Sequence, residues 1–405
     1  MAITRQEKVL KKINKDAPGS NEKLKEAKLA KDDEFYTERR DIELELNHWK
    51  NKFVGKRIIC PCDWDIFTKD KNKAEVYSLT VEFSDDKEFD LVSPTFYINK
   101  IKRIIYQQYK VHYKDGQAAT GIFDDFVSET AVPETIEISG EEAEALLNDR
   151  VTCNFLKYLI GIGKAYGIKS ITASGYDSDT KRGIPFQSVD YSQYDLCITN
   201  PPFSLYKEFM CCMMSEYDKR DRDTNPFDFI ILAPFQNRVA PNIAEPLTER
   251  KIFFGYGRHL AMAFKNPDKY SNYIEKKIAV DWITTWDDAQ KELDKTKIKT
   301  GINYELYKED YKTIDTITCK DGTHPLQLNS VTAIPDDYDG WMLCSVAIFD
   351  RLNYTDFEWH IMSLKGFYNK KHPDLNPLQH NVTDAMFNGG FNGQVLFRRK
   401  RKENN

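Results

Sequence analysis

Asn200, Pro201, Pro202 and Phe203 follow directly on a short apolar run, Asp195-Leu196-Cys197-Ile198-Thr199. Two consecutive prolines fix φ and remove two backbone donors, so a strand through the apolar run has to stop at Asn200. That leaves the Asn200 side chain and the carbonyls beside it at a strand's carboxyl end, where ligands bind in open α/β sheets. The Asn200 amide oxygen and a neighbouring carbonyl are two acceptors, enough to hold both hydrogens of a planar exocyclic amine. Phe203 offers a flat face to the ring that bears it. Such a set suits methylation of an amino group on a base. A solvent-facing turn is the plainer reading of a bare Pro-Pro pair. All four residues in this order are expected by chance in roughly one chain of this length in several hundred, which favours the chemical reading.

The rest of the chain reads as elements serving that turn. Residues 1 to 32 are Lys-rich, a solvated arm that turns helical towards its end. Asp41-Ile42-Glu43-Leu44-Glu45-Leu46 with Trp49 has the spacing of an amphipathic helix. After Gly55, Arg57-Ile58-Ile59-Cys60 predicts a short buried strand ended by Pro61. Asp63 lies just beyond, where a carboxylate is set to take hydrogen bonds from a ligand's amine or ribose. Residues 65 to about 150 are less regular. Strand-like stretches at Val76–Phe83, Thr95–Ile98, Tyr109–Tyr113 and Thr135–Ile138, an apolar and basic stretch at Lys100–Ile105 and an acidic helix at Glu141–Leu147 predict a small inserted subdomain that stands apart from the sheet. A helix over Asn154–Ile160 leads through Gly167 to a second strand, Lys169–Ser174, ending near Tyr176 and Asp177. The third strand carries Asn200, a helix starts at about Ser204, and Phe227–Pro234 is a near-continuous apolar run like those of buried parallel strands. Strand, helix, strand, strand, helix, strand is the order of a doubly wound α/β fold.

With 405 residues the chain has room for two or three domains, and 41% hydrophobic with 30% charged residues marks a soluble, globular protein. No run of 18 apolar residues occurs and the first residues lack the apolar core of a signal peptide, so a cytoplasmic location and no membrane contact are expected. The eight cysteines are scattered, several within apolar runs, which suits reduced, buried thiols. Cys60 and Cys62 have no Cys/His pair nearby to complete a metal site, and no metal is expected. A net charge of −5 does not advertise nucleic-acid binding, although phosphate contact depends on local Lys and Arg rather than on the average. The sequence does not fix an oligomeric state, and a monomer is favoured.

These residues resemble the EcoRI-type adenine-specific DNA methyltransferases. The resemblance is carried by Asp33-Glu34-Phe35-Tyr36-Thr37 with Asp41-Ile42-Glu43, by Asn154-Phe155-Leu156-Lys157-Tyr158, and above all by the eleven residues from Thr199 to Phe209. Weaker echoes lie at Gly257-Arg258-His259 to Phe264, Trp282-Ile283-Thr284-Thr285, and Asp339-Gly340-Trp341-Met342 through Phe357. The resemblance implies a Rossmann-like, S-adenosylmethionine-dependent methyltransferase sheet with an inserted subdomain and a C-terminal target-recognition region. It divides the chain into a catalytic domain of residues 1–64 and 151–270, an insertion of 65–150 and a C-terminal region of 271–405 that reads double-stranded DNA. Tyr36 and Thr37 would lie against the methionine part of the cofactor. Cys60 and Asp63, at the end of the first strand, would face its amine or ribose. Asp177 would reach the ribose hydroxyls, with Tyr176 or Asp190 beside the cofactor's adenine. Asn200 and the Pro201 carbonyl, held by Pro202, would accept the two amine hydrogens of the target adenine. Phe203 would stack on that base once it has left the duplex, and Phe264 is a candidate for its other face or else a plain core aromatic. The Gly-rich loop usual after the first strand of methyltransferases is here Pro61-Cys62-Asp63-Trp64, a replacement shared with the EcoRI-type branch, and the insertion follows it immediately.

Phosphate contacts are expected from Lys295, Lys297 and Lys299, which alternate as one face of a strand would, and from Arg398-Arg399-Lys400-Arg401-Lys402, unless that run is a solvated tail. Three other acceptors or roles fit the same turn: an adenine of RNA, a glutamine amide of a protein, or a silent nucleic-acid-binding decoy. No nuclease signature accompanies them.

Overall fold

The structure, a computed structural model, describes residues 36–64, 76–84, 94–114, 117–149, 154–177, 182–239, 241–267, 273–315, 318–319, 322–361, 375–376 and 394–400. The expectations for residues 1–35 and for Arg401 and Lys402 lie outside them. In chain order the elements are β1 (Tyr36–Thr37), α1 (Arg39–Leu46), β2 (Arg57–Cys60), β3 (Val76–Glu82), β4 (Thr95–Lys114) and β5 (Gln117–Ile138). Then follow α2 (Gly140–Asp149), α3 (Asn154–Gly163), β6 (Ser170–Ser174), the short β7 (Tyr176–Asp177) and β8 (Arg182–Gly183), and β9 (Leu196–Thr199). After these come α4 (Tyr206–Lys219), β10 (Asp228–Pro234), α5 (Pro241–Thr248), β11 (Phe253–Phe254), β12 (Leu260–Pro267), β13 (Tyr273–Thr284) and α6 (Asp288–Asp294). The chain divides into two units, Trp49–Thr199 with Arg222–Phe227, and Met1–His48 with Asn200–Asp221 and Asp228–Asn405.

In the first unit the parallel strands run in the order β9, β2, β6. Ile58 and Ile59 of β2 are buried between Leu196 and Cys197 on one side and Ile171 and Thr172 on the other. Gly55 and Gly167, both with left-handed φ, start β2 and β6 side by side, the Gly55 N–H donating to the Gly167 carbonyl at 2.7 Å. Helix α3 buries Phe155, Leu156 and Leu159, the i, i+1, i+4 spacing of one helix face, and packs on β6. Arg57 donates twice from its guanidinium and once from its backbone to Asp195, at 2.7 to 3.0 Å, tying the starts of β2 and β9. This parallel core with its helix is the Rossmann-like α/β class expected from the sequence.

One expectation fails here. The segment after Trp64 does not stand apart, because β3 runs antiparallel along the whole of β6, from Ser78 opposite Ser174 to Glu82 opposite Ser170, and extends the sheet. The buried face of β3, with Leu79 and Val81 fully covered, explains why: it needs a sheet to pack in. The separate strand-like stretches beyond are two long partners, β4 and β5, paired from Phe96 with Ile138 to Lys114 with Gln117. Strand β3 accompanies β4 only as far as Lys100, so among the described pairings residues 101–133 form a ribbon of two strands. Helix α2 then starts on a capping box, Ser139 Oγ accepting from the Glu142 N–H and Glu142 Oε2 accepting from the Ser139 N–H.

In the second unit β13 lies between β10 and β12, all antiparallel, with β1 at the far side of β12 and β11 paired to β13. A buried charged cluster braces it. Arg238, on the turn after β10, donates to Asp281 of β13 at 2.6 Å through Nε and again through Nη2, to the Val346 carbonyl at 2.8 Å and to Asp350 at 3.1 Å. Its guanidinium lies over the rings of Phe235 and Phe254. Glu45 of α1, also buried, accepts from the N–H groups of Tyr256 and Gly257. Towards the C-terminus, a sheet runs in the order Lys312–Thr313, Leu326–Gln327, Met342–Ser345, Gln394–Arg399, Phe357–Ile361.

The three alternating lysines are not on a strand. Helix α6 ends at Asp294, and the backbone N–H groups of Lys295 and Thr296 close its last turn on Glu292 and Leu293. Residues 297–303 that follow are irregular. Of the terminal basic run, Arg398 pairs with Glu358, Arg399 with the Pro335 carbonyl and Asp336, and Lys400 with the Tyr354 carbonyl. Those charges are engaged within the chain rather than carried on a loose tail.

Candidate active site

In the first unit the site grows from the end of β2. Cys60, fully buried, is its last residue, and Pro61 ends the strand. The loop then turns across the end of β6, where the N–H groups of Asp63 and Trp64 both donate to the Ser174 carbonyl at 3.1 Å and the Trp64 indole donates to the Val76 carbonyl at 2.8 Å. The approach is so close that a Cβ on Gly175 would sit 2.2 Å from the Trp64 carbonyl oxygen.

This loop places the Asp63 carboxylate in the interior, with 8% of the residue exposed. Among the described residues its side chain has one hydrogen-bond partner, Thr199 at the end of β9, whose Oγ1 donates to Oδ2 at 2.6 Å. Burial pushes the Asp63 carboxyl up to about 7, and the Thr199 hydroxyl works against that rise. Ser174, whose carbonyl holds this loop, has a buried hydroxyl with no hydrogen-bond partner among the described residues. A buried carboxylate half-ionised near neutrality and an unsatisfied buried hydroxyl, both at the carboxyl edge of parallel strands, suit a ligand bearing an amine or ribose hydroxyls. The residues therefore fit a nucleoside that carries an amino-acid chain.

The other sequence-predicted cofactor residues of this unit divide. Tyr176, two-fifths exposed, follows Ser174 and Gly175 and pairs with Gly183, while Asp177 pairs with Arg182 in the same β7–β8 hairpin. These stand next to Ser174, whose carbonyl holds the Asp63 loop. Asp190 instead caps the turn Tyr191–Gln193, accepting from the Ser192 N–H and hydroxyl and from Gln193.

In the second unit Asn200 leaves β9 half-buried, Pro201 is buried and Pro202 half-buried. Phe203, 9% exposed, opens a short 3-10 turn whose Leu205 N–H donates to the Pro202 carbonyl at 3.0 Å. That turn feeds α4, which buries Tyr206, Phe209, Met210 and Met213 on one face. The Tyr206 hydroxyl is buried with no hydrogen-bond partner among the described residues, and burial, then the charge of Asp281, raises the phenol well above its ordinary range. The N-terminal candidates are brought to β12: Thr37, buried, is opposite Phe264, and Tyr36 is opposite Lys265.

Thr199 and Tyr206 enter the sequence reading only as members of the eleven-residue stretch and Ser174 only as the end of a strand; neither they nor Gly175 are given a role there. Only Gly175, in a Ser-Gly-Tyr-Asp stretch after an apolar strand, carried a signal that could have been read.

The family described as adenine-specific methyltransferase EcoRI matches residues 23–81 and 186–389, more than half of the chain. The Type II methyltransferase M.EcoRI of Escherichia coli is 23% identical over 354 residues, covering 84% of this chain and 88% of the relative. The Type II methyltransferase M.MpnI of Mycoplasma pneumoniae is 22% identical over 274 residues, 58% of this chain and 79% of the relative. No solved structure matches the chain. The matched stretches hold Tyr36, Thr37, Cys60, Asp63, Asp190, Asn200 to Phe203 and Phe264, whereas Tyr176 and Asp177 fall in the unmatched interval. Among the described residues no helix is long and apolar enough to cross a membrane.

Proposed function

We propose, because the chain belongs to the EcoRI family of adenine-specific methyltransferases, that it methylates the 6-amino group of an adenine in double-stranded DNA, using S-adenosylmethionine. The observation that carries this reading is the Asn200–Phe203 turn, which follows a strand whose last residue, Thr199, holds the buried carboxylate of Asp63.

Asp63 would accept hydrogen bonds from the cofactor's amine or ribose, with Cys60 and Ser174 beside it. Tyr36 and Thr37 would flank its methionine part, and Tyr176, Asp177 and Asp190 are the candidates for its nucleoside. When bound, S-adenosylmethionine supplies a methyl group on a sulfonium that leaves as a neutral thioether, so the protein's task is alignment. Asn200 and the Pro201 carbonyl accept the two hydrogens of the target amine and so turn its lone pair towards the methyl carbon. Phe203 stacks on the adenine, offsetting part of the few kcal/mol that unstacking it from the duplex costs. Phe264 is the candidate for the opposite face. The region of residues 271–405 is the proposed reader of the target sequence, and residues 65–150 the insertion into the catalytic domain.

Replacing Asn200 by Ala tests the turn. The variant should lose turnover by on the order of a hundredfold or more and still bind S-adenosylhomocysteine with the parental affinity. Parental turnover in Asn200→Ala would remove the turn from the mechanism.

A further inference from the structure

Thr199 closes a strand whose other residues, Leu196, Cys197 and Ile198, are apolar and fully buried, and it is itself fully buried. A valine would fill the same volume there without burying a hydroxyl, which needs a partner if it is not to cost free energy. Thr199 Oγ1 finds that partner in Asp63, at a distance typical of a hydroxyl donating to a charged carboxylate. The bond occupies one lone pair of Oδ2.

We infer that Thr199 is a positioning residue for cofactor capture: its hydroxyl aims the Asp63 carboxylate so that Oδ1 is presented to the ligand. The inference rests on reading Asp63 as a cofactor ligand. Among the described residues no Lys or Arg pairs with Asp63, so the Thr199 hydroxyl is what opposes the effect of burial on its charge. The Cys197 thiol on β9 is the titratable group that feels the Asp63 charge, together with that of Cys62 on the loop. The Cys197 thiol is itself held neutral by burial. A ligand amine then meets a carboxylate already oriented by Thr199 and more ionised than burial alone would leave it.

Binding of S-adenosylhomocysteine to the full chain, measured by calorimetry across pH, separates this from a packing role. Thr199→Val should weaken binding near neutrality by roughly tenfold, the usual size of one hydrogen bond to a charged group, and should move the pH at which affinity falls off upwards. Thr199→Ser, which keeps the donor, should restore both. In an Asp63→Asn background, Thr199→Val should have no further effect, because the hydroxyl acts through the carboxylate. Should Thr199→Val not fold, Thr199→Ala removes the same donor. Parental affinity and pH profile in the donor-less variant overturns the inference while a loss of binding in Asp63→Asn leaves the reading of Asp63 standing. A loss that is the same in the Asp63→Asn background also overturns it. Parental binding in Asp63→Asn overturns both.

Discussion

Asp63 shows how a single side chain can be set against the fold that holds it. Its carboxyl is raised from an ordinary 3.8 to about 7 by burial, so the folded chain holds this proton more tightly than the unfolded one. The stability it allows is complete below the unfolded value and is lost as pH rises through about 7. Urea midpoints of the cofactor-free protein, compared with those of Asp63→Asn from about pH 5 to about pH 8, should therefore diverge, the variant gaining on the parent as pH rises. Parallel curves would contradict the burial of an ionisable group at this place. Asp63 was legible in the sequence because it stands just beyond a β-branched run stopped by a proline. Thr199 was not, since a threonine ending an apolar strand reads as a strand former, and its bond reaches a residue 136 positions away. Asn200 and Phe203 were legible because two prolines and an aromatic leave the chain few other local uses.

The elements around these residues make their own demands. Gly175→Ala would drive a Cβ against the Trp64 carbonyl oxygen, a backbone atom that can move only with the loop carrying Asp63. The variant should lose about 1 to 3 kcal/mol and bind S-adenosylhomocysteine more weakly. In α3, where a Cβ on Gly161 would meet nothing within 4 Å, Gly161→Ala should instead raise stability by up to about 1 kcal/mol. Equal melting shifts for the two variants would contradict the close approach at Gly175. The ribbon is a second case. Joining Lys100 to Glu134 through a two-residue turn removes residues 101–133 and keeps the pairing of β3 with both β4 and β6. Calorimetry should show unchanged affinity for S-adenosylhomocysteine, and any altered property should be DNA affinity or target choice. Loss of cofactor binding would show that the ribbon supports the core. Excising all of 65–150 is a different change, because it strips β3 from the sheet. The strands of this segment were visible in the sequence, but their partners were not: alternation identifies a strand, while pairing depends on register across the chain. Lys295, Lys297 and Lys299 show the converse error, for alternating lysines imitate a strand face although the preceding helix takes up the first of their N–H groups.

At the scale of the whole molecule, the sequence resemblance foresaw the class of fold and the family, while the bracing of the second unit was invisible to it. Arg238 is not marked by any motif, yet it joins the turn after β10, β13 and the segment Val346–Asp350 in one buried cluster. Arg238→Met should cost about 3 to 5 kcal/mol in urea unfolding, because Asp281 is left buried without its cation. A cost under about 1 kcal/mol would show that the pair is not what braces this unit. Arg398, Arg399 and Lys400 are paired within a chain whose net charge is −5. The central claim is the acceptor itself. Incubation of the full chain with methyl-labelled S-adenosylmethionine and, in parallel, duplex DNA, RNA or protein, followed by mass spectrometry of the hydrolysed products, reads it directly. The account requires the label to appear as 6-methyladenine in DNA alone; label in RNA or protein but not in DNA, or in none of the three, would contradict it.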